Sequence, residues 1–141
     1  MLIDGHEIES DLERTRLWEQ LVALETIGEW SAFAQCVSPD SDQLQPATSF
    51  VCTHSNGRDE TEATVIVTGF EPEELLTLRT TTPMADLHER IELSDRPGGS
   101  LLTYSVDATS SAFGPSVTLW LRMHVNHVCA KLETFARRSL V

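Results

Sequence analysis

The chain has 141 residues, 40% of them hydrophobic, which is the common size of one domain with an ordinary core, so a single domain over residues 1–141 is expected. Ten Lys and Arg stand against 22 Asp and Glu, and the resulting net charge of −12 repels phosphate backbones and anionic bilayers over most of a surface. Nucleic acid is thereby set aside as a partner. Membrane insertion is set aside too, because no stretch approaches the roughly 18 consecutive apolar residues of a spanning helix.

The opening residues, MLIDGHEIESDLER, lack the basic and apolar regions of a secretion signal, and a cytoplasmic location is expected. Cys36, Cys52 and Cys129 are widely spaced and form no CxxC pair. In a reducing compartment they are expected to be buried free thiols, although a hairpin across the polar segment 39–48 would set Cys36 beside Cys52.

The segment IDGHEI reads as a first strand. Ser10 is placed to cap a helix starting at Asp11, with Glu13 completing a capping box, and Leu12, Leu17, Trp18, Leu21, Val22 and Leu24 form its apolar stripe. LETIGEW is a second short helix or turn ending at Trp30, ahead of a strand at Phe33 to Val37. Strand-like runs follow at Ser49 to His54, Thr61 to Phe70, Leu75 to Thr81, Leu87 to Leu93 and Leu101 to Ala108. Turn residues separate them at Asn56 and Gly57, at Glu71 and Pro72, and at Arg96 to Gly99, as antiparallel neighbours require. From about Ser116 to Ser139 there is no Gly or Pro, which predicts a helix of roughly 36 Å. On a helical wheel Val117, Leu121, His124, Val125, Val128, Leu132 and Phe135 share one face, and Arg122, Asn126, Glu133 and Arg137 lie opposite.

This order of elements carries SDLERTRLWEQLVALETIGEW at the front and SDRPGGSLLTYSV before the last helix. Trp18 is followed twelve residues on by Trp30, and the turns GFEPEELLTLRTT (Gly69 to Thr81) and GGSLLTY (Gly98 to Tyr104) come later. Together they resemble the START-related, polyketide cyclase-like superfamily over nearly the whole chain. The resemblance implies an α+β helix-grip fold: a curved antiparallel sheet of six to seven strands around a long C-terminal helix, with two short helices after the first strand. It also implies a cavity between sheet and helix, in a superfamily that includes lipid and hormone binders, aromatic polyketide cyclases and chaperone-associated proteins. The matching pieces are packing and turn features, so activity has to be argued from the site.

Alternation along the strands turns Val65 with Val67, Leu87 with Glu89, Ile91 and Leu93, and Leu102 with Tyr104 and Val106 toward the interior, while the parity of Phe50, Cys52 and His54 stays open. His124 falls inside the apolar arc of the long helix, where an imidazole can exchange a proton near neutral pH or serve as a hydrogen-bonded core residue. Tyr104, the only tyrosine, can orient a carbonyl or reach a rim, and Glu89, if buried, becomes a candidate acid or base. Trp18 and Trp30 are expected to seal the short helices, and Trp120 is better placed to touch a ligand. Arg79 and Arg90 read as surface residues. The loop Thr109 to Pro115, with Phe113, is suited to gate a cavity mouth or to be a plain helix entry.

His124 and His127 form an HxxH pair about 60° apart on the wheel without a third ligand, so no metal is expected, and no cofactor. The chain contains no GxSxG, Walker loop, HExxH or GxGxxG, and hydrolytic, nucleotide-dependent and Rossmann-type functions have no support. The first expectation is binding or transport of a small hydrophobic molecule of lipid, sterol or polyketide type. Its contacts would be Trp120, Leu121, His124, Val128, Tyr104, Val67, Ile91 and Phe113. The alternative is a cyclase, aromatase or dehydratase in which His124, Tyr104 or Glu89 moves protons. A third reading is an interaction module whose cavity is filled by its own side chains. The oligomeric state is left open, a homodimer included.

Overall fold

A computed structural model describes residues 2–37, 43–46, 49–55, 60–83, 85–109 and 115–137, with side chains for all of these except residues 2–4, 34–37, 55 and 115–117. Strand β1 (Leu2–Ser10) leads into helix α1 (Arg14–Val22), a 3-10 turn (Leu24–Thr26) and helix α2 (Ile27–Trp30). Then come β2 (Phe33–Val37), β3 (Ser49–Ser55), β4 (Glu60–Glu71), β5 (Leu75–Thr81), β6 (Asp86–Arg96), β7 (Gly99–Thr109) and helix α3 (Pro115–Ala136). The seven strands form one antiparallel sheet in the order β1-β7-β6-β5-β4-β3-β2. The first two strands in sequence therefore lie at opposite edges, and α1 and α2 carry the chain from one edge to the other. Helix α3 packs on β1, β7 and α2.

The pleat sorts the side chains. Leu87, Glu89, Ile91 and Leu93 of β6 are buried while His88 and Arg90 are exposed, and Leu102, Tyr104, Val106 and Ala108 of β7 are buried. Leu121, His124, Val125, Val128, Leu132 and Phe135 form the buried face of α3, and Arg122, Asn126, Glu133 and Arg137 are exposed, as the wheel requires. A register shift between Val67 and Gly69 against β5 bulges β4, and such a bulge bends a strand and increases its twist. Thr68 and Thr77 join their hydroxyls across the bulge at 2.8 Å. Trp18 seals α1 onto the sheet by packing edge-on to Phe70 at 5.2 Å, and Trp30 donates its Nε1–H to the Leu21 carbonyl at 3.1 Å. Arg79 and Arg90 are exposed and pair with Asp86 and Glu92.

Three sequence-based expectations are corrected here. Ser10 does not cap a helix at Asp11: α1 begins at Arg14 with Glu13 before it and no side-chain cap. The β1–β7 ladder runs through Ser10 opposite Ser100, and strand pairing takes the residue that the capping motif would need. Its hydroxyl instead accepts from the Leu12 N–H at 3.1 Å and donates to the Ala136 carbonyl at 2.5 Å, tying the end of β1 to the last turn of α3. Leu24 likewise leaves the α1 stripe, since the helix stops at Val22 and Leu24 opens the 3-10 turn. Finally, the cysteines are not all free. Cys52 is disulfide-bonded and stands opposite Cys36 in the β2–β3 register, while Cys129 is buried and outside any disulfide.

At the other end of the sheet, Pro97 and Gly98 make the two-residue turn between β6 and β7, and Gly98 takes φ +81° as the second central residue of a type II turn requires. The Arg96 guanidinium reaches the Ser10 carbonyl at 3.0 Å and the Asp11 carboxylate at 3.2 Å. Ser100 donates to the Leu12 carbonyl at 2.7 Å. The hairpin thus holds the chain as it leaves β1. No helix among the described residues is long and apolar enough to cross a membrane. The Asn56–Gly57 turn, Phe113 with most of the suggested gate, and Ser139 at the expected end of the last helix lie outside the described residues.

Candidate functional site

Between the sheet and α3 the side chains are almost all apolar, and four hydrogen-bonding residues are set together among them. They are His54, Glu89, Tyr104 and His124, each 5% exposed or less. Alternation places them: His54 follows Phe50 and Cys52 on β3, Glu89 lies between Leu87 and Ile91 on β6, and Tyr104 lies between Leu102 and Val106 on β7. His124 follows Leu121 by one turn of α3. Tyr104 is directly opposite Ile91, so Glu89 is its diagonal neighbour, a separation that a phenol spans.

The four form a continuous row. The Tyr104 hydroxyl donates to Glu89 Oε2 at 2.6 Å. Nε2 of His124 lies 3.4 Å from the same carboxylate oxygen and 3.3 Å from the Tyr104 oxygen. Nδ1 of His124 meets Nε2 of His54 at 3.2 Å. The two imidazole planes are 13° from parallel with centroids 5.2 Å apart, and the short N···N contact makes this an edge-to-edge join. Trp120 lies alongside both, 5.7 Å from His54 and 5.9 Å from His124. Phe33 meets the His54 ring edge-on at 6.2 Å.

Electrostatics assigns the protons. Burial pushes the Glu89 pKa up, but the hydrogen bond from His124, first among the opposing causes, and that from the Tyr104 hydroxyl help to hold the carboxyl below its usual value. Glu89 is therefore a carboxylate. Tyr104 has given its hydrogen to that carboxylate, so both neighbours of His124 Nε2 are acceptors, and Nε2 carries a proton. Burial, with the neighbouring His124 in second place, lowers the His54 pKa to about 4, and His54 is neutral at pH 7. His127, one turn from the row and half-buried, has its pKa lowered by burial and by Lys131; the Lys131 ammonium is itself lowered by burial and donates to the Ser31 carbonyl at 2.9 Å.

Of the residues singled out from sequence, His124, Tyr104 and Glu89 meet in this row, and Trp120 flanks it. Val67, Ile91, Leu121 and Val128 are buried in the same core, each 5% exposed or less, so their surroundings are closed to water. His54 was not singled out. Its signal was the period-two run with Phe50 and Cys52, whose parity a lone strand does not fix.

The sequence matches no family model and no curated protein. Solved structures do match. Protein MLL2253 from Mesorhizobium loti is similar at a TM-score of 0.74 and 15% identity, over 99% of this chain and 100% of that one. Ara h 8.0201 is similar at a TM-score of 0.70 and 12% identity, over 96% and 97%. DynU16, a putative protein in the dynemicin biosynthetic locus, is similar at a TM-score of 0.66 and 15% identity, over 96% of this chain and 49% of that one. Identities this low speak for the fold alone, an antiparallel seven-stranded sheet packed against a long C-terminal helix.

Proposed function

We propose that the protein holds a small, mainly apolar molecule between the sheet and α3, with the polar end of that molecule received at the His54–His124–Glu89–Tyr104 row. The observation that carries this reading is the row itself: a carboxylate, a phenol and two imidazoles linked inside an otherwise apolar core. Burying such groups costs stability relative to apolar residues of similar volume, so a role in recognition accounts for a feature that packing alone does not require. Apolar contact at about 25 cal/mol per Å² would supply affinity, and the row would supply orientation. Val67, Ile91, Tyr104, Trp120, Leu121, His124 and Val128 are the proposed contacts, with Phe113 a candidate at the mouth. Because Val67, Ile91, Tyr104, Leu121 and Val128 are buried in one core cluster, binding requires that core to open.

The continuity of the row favours a second reading, an enzyme of cyclase, aromatase or dehydratase type. There Glu89, His124 and Tyr104 would move protons at a bound chain.

Titration with N-phenyl-1-naphthylamine, an uncharged fluorescent apolar probe, tests the proposal. Saturable binding at one site per chain is expected, weakened in Trp120→Ala. Failure to bind would return the interior to a self-filled core and favour an interaction module.

A further inference from the structure

The proton assignment runs on from Glu89 to the outer end of the row. His124 carries its proton on Nε2, so when it is neutral its Nδ1 is an acceptor, and the only hydrogen that can fill the 3.2 Å contact is Nε2–H of His54. A neutral imidazole has one N–H, so Nδ1 of His54 is then a bare acceptor. It makes no hydrogen bond to any described residue, and its ring sits between Phe33 and the half-buried Trp120.

Resting on the reading above, we infer that the bound molecule presents an O–H donor, of alcohol, phenol or enol type, to Nδ1 of His54, and that the row behind it can take that proton. In the transfer the O–H bond breaks and leaves its electron pair on the ligand oxygen, while an N–H bond forms at Nδ1 of His54. The Nε2–H bond of His54 breaks as an N–H bond forms at Nδ1 of His124. The charge then rests on His124, beside the Glu89 carboxylate, and not on His54, where burial opposes it. Returning the proton reverses each step, and no co-reactant is consumed.

The test pairs 1-naphthol with its methyl ether, which has the same apolar body and no donor, and adds the nitrogen-15 spectrum of the histidines. Both His54 and His124 should show the proton on Nε2, and naphthol should bind about tenfold more tightly than the ether. The gap should close in His54→Phe. Equal binding of the two probes, or a His54 proton on Nδ1 above neutral pH, overturns the inference while leaving the apolar site intact. If neither probe binds, the proposed function fails and the inference falls with it.

Discussion

Tyr104 and Glu89 share a 2.6 Å hydrogen bond inside the protein, and the phenol hydrogen is one of the interactions that keep the carboxylate ionised. Tyr104→Phe removes that donor without changing the packing shape, and the variant should lose about 1–2 kcal/mol of stability. Denaturant unfolding should show a lower midpoint at an unchanged slope. His54 gives a pH signature. It gains its proton near 6.5 when unfolded and near 4 when folded, so between those values the unfolded chain binds more protons. Stability should therefore be complete above about pH 6.5 and decline as pH falls toward 4, by about 3 kcal/mol from this residue. Glu89, lowered when folded, adds a loss in the same direction at more acid pH. A pH series of unfolding midpoints should be flatter through the upper window in His54→Phe. At this scale much of the site was legible, because Tyr104 and Glu89 sit in strands whose alternation is unambiguous and His124 lies in an apolar arc. His54 was not, because Val51, exposed at 51%, is as apolar as its buried neighbours and blurs the alternation of β3.

Among the elements, the β6–β7 hairpin and the end of β1 form one joint. A Cβ on Gly99 would sit 2.0 Å from the Ser10 carbonyl oxygen and 3.0 Å from Asp11 Cα, both backbone atoms that no rotamer change relieves. Gly99→Ala should therefore destabilise the protein more than Gly98→Asn, since Gly98 meets nothing within 4 Å and Asn tolerates its positive φ. Comparing the two melting temperatures checks this. The RPGG turn was readable from sequence because Pro and Gly fix its dihedrals locally. The role of Ser10 was not, because the capping motif and the β1–β7 ladder compete for the same residue, and only pairing with Ser100, 90 positions away in the chain, decides between them. The cysteines follow the same pattern, since opposition of Cys36 and Cys52 is a matter of register. Thiol titration of the denatured, unreduced protein should find one reactive group, Cys129, and three after reduction.

For the molecule as a whole, strand count, the two short helices and the terminal helix were legible because their periodicities are strong. The placing of β1 and β2 at opposite edges was not legible, because nothing local in either strand names its partner. The central claim, that the interior accepts a small apolar molecule at the polar row, is tested most directly by native mass spectrometry of the purified protein, compared with the same sample after denaturation. The account predicts a discrete apolar compound bearing a hydroxyl, retained by the folded chain and released on unfolding, or capture of naphthol by the empty protein at one molecule per chain. A chain that arrives empty and takes up neither naphthol nor the fluorescent probe would contradict it.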